Sequence, residues 1–144
     1  MRRIVIFELN EMLCAVDTLS VSEIIVCQKV TKTPGTPSFV EGIYDLRETV
    51  IPVIDLNRRF ALGVTPLTGK SKLIVSQLMD KRAGYLVNSV KEITLCEDQA
   101  FQAVPPPMKS EENRYLSEIL VLNDEIINVI DFSAILSDSE LREL

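Results

Sequence analysis

Three kinds of residue in this chain could do chemistry. The first lie in GVTPLTGKS, residues 63–71, whose glycines, lysine and serine suggest a loop that wraps phosphate oxygens in backbone amides. Such a loop needs four residues between its first glycine and the glycine-lysine-serine triplet. Here five intervene, one is Pro66 with no amide to offer, and the KLIV that follows has the makings of a strand instead of a helix. A linker is expected. The second kind is acidic: Asp55 closes the apolar run TVIPVI, and Glu111-Glu112 and Asp124-Glu125 are adjacent pairs in polar, turn-like surroundings, where carboxylates stay solvated. The third is cysteine. Cys14, Cys27 and Cys96 are odd in number and far apart, and the chain has no histidine, so zinc sets cannot be built and buried reduced thiols are expected. A serine or cysteine nucleophile would lack a histidine base, and neither a GxSxG elbow nor an SxxK stretch is present. No active site, metal or cofactor is expected.

The elements that must position these residues are mostly strands. Runs of four to seven β-branched and aromatic residues recur between turn formers: IVIF, LCAV, EIIVC, TVIPVI, KLIV, AGYLV, EITLC, SEILVL and EIINVI. Pro52 cannot donate to a ladder, which predicts an edge strand or a bulge. Asp55 precedes LNRRFAL, a stretch of helical spacing with Gly63 placed to end it, so its carboxylate is expected to cap the helix. Asp131 before FSAIL repeats the arrangement, as a structural cap in a duplication should.

The formal charge of −6 and the scattering of basic residues exclude a continuous stripe for nucleic acid. MRRIVIFELNE has too few apolar residues for a leader, and Leu116 to Ile130 is interrupted by Ser117, Glu118 and NDE, so neither membrane insertion nor export is expected and the cytoplasm is the expected location.

The chain is one unit written twice. Residues 4–24 shifted by 69 bring Leu9 onto Leu78 and SVSEI onto SVKEI; residues 43–56 shifted by 76 bring IYDLRETVIPVIDL onto ILVLNDEIINVIDF. The difference is a seven-residue insertion at VPPPMKSEEN. A unit of about 70 residues with four or five short strands must close on itself to cover its face and edges, which predicts a small five-stranded barrel. The expected class is all-β, with two such barrels and short helical turns in one domain over 1–144. The subdomains are placed at about 13–69 and 70–132, the N-terminal strand being open to exchange, and a short C-terminal helix at 133–144. Glu23 and Arg47 sit in the otherwise apolar motifs SVSEII and IYDLRETV. A pair between them would be either a contact for a partner or a surface salt bridge.

The stretches IVIFELNEMLCAVDTLSVSEII, VTKTPGTPSFVEGIYDLRETVIPVIDLNRRF, AGYLVNSVKEI and YLSEILVLNDEIINVIDFSAIL, in this order, resemble the CheW family of bacterial chemotaxis adaptors over nearly the whole chain. The resemblance implies two SH3-like barrels and no catalysis. It implies a scaffold in signal transduction that couples methyl-accepting chemoreceptors to the regulatory domain of the histidine kinase CheA, at receptor arrays on the inner face of the membrane. It assigns Glu23, Ile24, Leu46 and Arg47 to kinase binding, and Val21, Val87 and Val90 to an apolar groove for the receptor's helical tip. Four positions depart from the family's usual pattern: Glu48 where glycine follows LR, Asn57 for arginine, Asn88 for aspartate, and Glu118 for glycine. They favour, as the alternative, a divergent adaptor serving pilus motility or gene regulation. An enzyme on a small barrel and a structural oligomer are the rivals of other classes.

Overall fold

The computed structural model describes residues 1–144. Its strands are β1 (Arg2–Leu9), β2 (Met12–Asp17), β3 (Glu23–Val26), β4 (Gly42–Leu46), β5 (Thr49–Asp55), β6 (Lys72–Leu78), β7 (Lys81–Val87), β8 (Ser89–Cys96), β9 (Phe101–Ala103), β10 (Leu116–Leu122) and β11 (Glu125–Ile130). Two short helices, α1 (Leu56–Arg59) and α2 (Asp138–Glu143), complete it with a few 3₁₀ turns, and no helix is long and apolar enough to cross a membrane.

The strands form two curled sheets, one of six in the order β8-β1-β2-β11-β10-β9 and one of five in the order β3-β6-β7-β5-β4. Under the shifts of 69 and 76, β3, β1, β2, β5 and β4 correspond to β8, β6, β7, β11 and β10. Each sheet thus has the same order, but the first hairpin of each copy lies in the other copy's sheet. The three-residue β9, just before the inserted segment, adds an edge strand beside β10 where the first copy has only the single bridge Thr31–Ile43. A cut at 69/70 therefore does not separate the sheets: the whole hairpin β1–β2, and not its first strand alone, joins second-half strands, and β6–β7 makes the reciprocal exchange.

This exchange explains the near-continuous apolar runs. Along β1, Ile4 and Ile6 face the interior of the six-stranded sheet while Val5, Phe7 and Leu9 face its neighbour; along β7, Leu86 faces the five-stranded interior while Ala83, Tyr85 and Val87 face out of it. Both faces of the exchanged hairpins are covered, and alternation gives way to unbroken burial. The largest apolar cluster, 16 buried residues including Phe7, Ile54, Ile74, Tyr85, Phe132 and Ile135, lies between the two sheets.

Tyr85 within that cluster is fully buried, and its hydroxyl has no hydrogen-bond partner. Burial also pushes its phenol above the usual range. An unsatisfied hydroxyl of this kind costs stability, so Tyr85→Phe is expected to raise the urea midpoint by the equivalent of about 1 kcal/mol. A loss of stability would mean that the hydroxyl has a partner.

Pro52 is neither on an edge strand nor at a bulge. β5 lies between β4 and β7, and Pro52 is accommodated because its partner Ile43 spends its amide and carbonyl on Thr31, at 2.8 and 3.1 Å, while the parallel ladder to β7 begins only at Val53. Asp55 caps α1 as expected. That helix ends early, however: Ala61, at φ 60°, makes the reversal expected of Gly63, and the Leu62 amide closes the turn on the Asn57 carbonyl at 2.7 Å. Asp131 caps a single 3₁₀ turn, so the C-terminal helix is confined to 138–143, where Ser137 and Glu140 form a capping box. The stretch 63–71 connects the copies without regular structure, and KLIV continues into β6, which removes the phosphate-loop geometry. The three cysteines are unpaired and buried, and burial pushes the Cys14 thiol up to about 12.

Candidate functional site

Strand β3 presents Glu23 at its first position, and the two-residue turn between β4 and β5 presents Arg47. The side chains meet in a fork: Arg47 Nη1 donates to Glu23 Oε1 at 3.0 Å and Nη2 to Oε2 at 2.7 Å. Arg82 Nη2 approaches the same carboxylate at 3.9 Å. The hydrogen bond from Arg47 holds the Glu23 carboxyl below its ordinary range. Glu23 is 26% exposed and Arg47 68%, so one face of the guanidinium stays in water. The exposed side of the Arg47 guanidinium can accept an anionic side chain without giving up the internal pair.

The turn that carries Arg47 is costly. Both central residues have positive φ, 51° at Arg47 and 72° at Glu48, in a turn that prefers Asn-Gly; the matching turn of the second copy uses Asn123 and Asp124 at 50° and 65°. Asp45 Oδ1 steadies it by accepting from the Glu48 amide at 2.9 Å. The first copy thus holds a strained hairpin where the second has residues suited to it, and the strain falls on the residue that projects the guanidinium. Glu48→Gly relieves one positive-φ position and is expected to raise stability by about 1 kcal/mol in urea unfolding while leaving the Glu23–Arg47 fork intact. A drop in the midpoint would show that the Glu48 side chain contributes to the fold.

The other expected residues divide. Val21, Ile24 and Val90 are half-buried, all packed against the edge of the inter-sheet cluster. Val21 and Val90 occupy equivalent positions of the two copies. Val87 does not belong with them: it is wholly buried, because it shares a face of β7 with Ala83 and Tyr85 and that face lies between the sheets. Leu46, 5% exposed, is likewise withdrawn, packed with Ile51 and Val75 inside the five-stranded sheet while the next residue turns outward. Neither offers surface to a partner. Leu19, which the sequence reading passed over, stands 94% exposed two residues before Val21. The signal was present in the duplication, which sets Leu19 opposite Asn88, an apolar residue against a polar one.

Two of the four departures are one feature. Asn57 Nδ2 donates to Asn88 Oδ1 at 2.7 Å, so the positions of the usual arginine and aspartate are in contact, and both are amides here. Glu118 has its own partner: it accepts from Arg2 Nη1 at 2.9 Å, and the Arg2 guanidinium lies 3.8 Å from the centre of the Phe101 ring. The larger recesses lie elsewhere. One of about 380 Å³ is lined by Arg59, Glu111, Glu112, Arg114 and Tyr115 among others. Its Arg59 is already committed to Glu140 through bonds of 2.8 and 2.6 Å.

A family model for the CheW-like domain matches residues 3–140. The chain belongs to the CheW-like domain family. Within it, the probable chemotaxis protein CheW of Rhizobium etli is 29% identical, the match covering 96% of this chain and 90% of that protein. The chemotaxis protein CheW of Treponema pallidum is 26% identical, with 99% and 86% covered. The crystal structure of the scaffolding protein TtCheW from Thermoanaerobacter tengcongensis superposes with a TM-score of 0.84 at 31% identity, over 96% of this chain and 90% of that one. The two curled sheets are accordingly the SH3-like barrels of the CheW fold.

Proposed function

We propose that this protein is a non-catalytic chemotaxis adaptor that links the cytoplasmic tip of a methyl-accepting receptor to the regulatory domain of a CheA-type histidine kinase. It works in the cytoplasm, at arrays on the inner face of the membrane, and needs no cofactor. The observation that carries this reading is the Glu23–Arg47 fork, offered to solvent on a strained turn beside the half-buried Val21 and Ile24, in a chain of the CheW family. A charged group next to a partly covered apolar strip suits a modular contact in which the apolar residues give affinity and the ion pair sets orientation. Modest affinities at separate sites then add up in an array.

Calorimetric titration with the kinase regulatory domain from the same organism tests this, beside an Arg47→Ala variant. Saturable binding weakened about tenfold by the substitution is expected, since removal of one partner strands Glu23 at the contact. Absence of binding to every such kinase of that genome would remove the coupling function. The paired amides Asn57 and Asn88 favour a second reading, an adaptor of a pilus-motility or gene-regulatory chemosensory pathway. It predicts preferential binding to that pathway's kinase in the same titration.

A further inference from the structure

Asn10, Asn57 and Asn88 close a ring of hydrogen bonds. The Asn10 backbone N–H donates to Asn57 Oδ1 at 2.8 Å, Asn57 Nδ2 to Asn88 Oδ1 at 2.7 Å, and Asn88 Nδ2 to Asn10 Oδ1 at 3.0 Å. Asn10 Nδ2 reaches further to the carbonyls of Leu62 and Val64, and Asn57 Nδ2 to Thr65 Oγ1. The three residues come from different parts of the fold. Asn10 is in the β1–β2 turn of the six-stranded barrel, Asn57 is in α1 behind β5 of the five-stranded barrel, and Asn88 is the single residue by which the chain passes from β7 in one barrel to β8 in the other. Asn57, held by Asn10 from the six-stranded barrel and by Asn88 from the crossover, is completely buried.

A device required by the duplicated fold should occur twice. The equivalent positions in the other copy are Met79, Ser133 and Leu19. Met79 and Leu19 are 85% and 94% exposed, and the Ser133 hydroxyl is spent on Asp131. The fold closes on that side with no ring, so closure of the fold does not account for it. Its physical effect is directional. Elsewhere the barrels meet through an apolar cluster, which resists separation but tolerates small rotations, and through the C-terminal segment, whose Glu140 pairs with Arg59 and whose last carbonyls accept from Lys81 Nζ. At the β7–β8 crossover it is the fully satisfied ring that has one geometry. The crossover it grips leads directly to Val90. There the Asn88 amide donates to the Glu8 carbonyl at 3.0 Å and Ser89 Oγ to Glu8 Oε1 at 2.9 Å.

We infer that the Asn10–Asn57–Asn88 ring is a positioning device that sets the angle between the barrels, and with it the placement of Val90 relative to Val21. It controls capture of an apolar helix that must touch both barrels, and leaves untouched a partner that docks at Glu23 and Arg47 on the five-stranded barrel alone. This rests on the adaptor reading above.

Asn88→Ala removes two bonds at a half-buried position and spares the buried Asn57; Asn88→Asp keeps an acceptor for Asn57 but cannot donate to Asn10. Two probes are titrated into the full chain: the helical-hairpin tip fragment of a receptor and the kinase regulatory domain, both from the same organism. Tip binding is expected to fall about tenfold in Asn88→Ala and by less in Asn88→Asp, with kinase-domain binding within about twofold of the parent in both. Spin labels at Gln77→Cys and Gln99→Cys, one on each barrel, are expected to show a broader distance distribution when Asn88→Ala is added. Unchanged tip binding, equal weakening toward both probes, or an unchanged distance distribution would each overturn the inference. If the parent protein binds neither probe, the adaptor reading fails, and the distance distribution still decides whether the ring sets the barrel angle.

Discussion

Asp55→Ala is expected to lower the stability of the protein by about 4 kcal/mol, whereas Asp131→Ala, the same change at the matching position of the second copy, costs about 1 kcal/mol. The difference comes from burial. Asp55 is 2% exposed, and its carboxylate accepts from the amides of Asn57, Arg58 and Thr65 at 3.0, 3.4 and 2.9 Å and from the Thr65 hydroxyl at 2.5 Å. Alanine would leave those donors without the acceptor they share at a position that is itself buried. Asp131 is exposed and accepts only from the amide and hydroxyl of Ser133, which solvent can replace. Urea unfolding of the two variants measures this directly. Equal losses would mean that water reaches the Asp55 network or that the two caps have the same environment.

Phe132→Ala is expected to cost about 4 kcal/mol, in the range for emptying a large buried aromatic site. The ring is 1% exposed, edge-on to Phe7 with centroids 6.1 Å apart and tilted on Tyr85 at 4.7 Å, so the void opens between the barrels with strands of both around it. Each barrel borrows a hairpin from the other half of the chain, so neither is complete without its neighbour. The variant should therefore still unfold in one calorimetric transition, displaced to lower temperature. Two resolved transitions would show that the barrels can stand apart. Ile126→Ala, at an exposed position, is the control and should change stability by less than about 0.5 kcal/mol.

Much of this molecule is legible in its sequence. Runs such as IVIF and EIINVI specify strands because β-branched side chains repeat at a length that helices rarely use, and the repeated SVxEI and VIxD motifs specify one unit made twice. The caps at Asp55 and Asp131 were legible because a side chain that serves the next turn is a local matter. The Glu23–Arg47 pair was visible as two charges in apolar motifs, and its forked geometry followed only from the closure of the five-stranded barrel, which brings a strand start against a hairpin turn.

What the chain alone determined, then, are its strands, its turns and its duplication, since each depends on neighbours a few residues away. Only the tertiary structure decided which hairpin joins which barrel. The two copies carry the same pattern in β1–β2 and β6–β7, so pairing within a copy and pairing across copies are equally consistent with the sequence. Every difference between expectation and structure at the site descends from that exchange or from its packing. Val87 and Val90 stand three residues apart in AGYLVNSVKEI, yet one is sealed between barrels and the other lies at their edge. The three asparagines, separated by tens of residues, meet only because the exchanged strands bring their segments to one point.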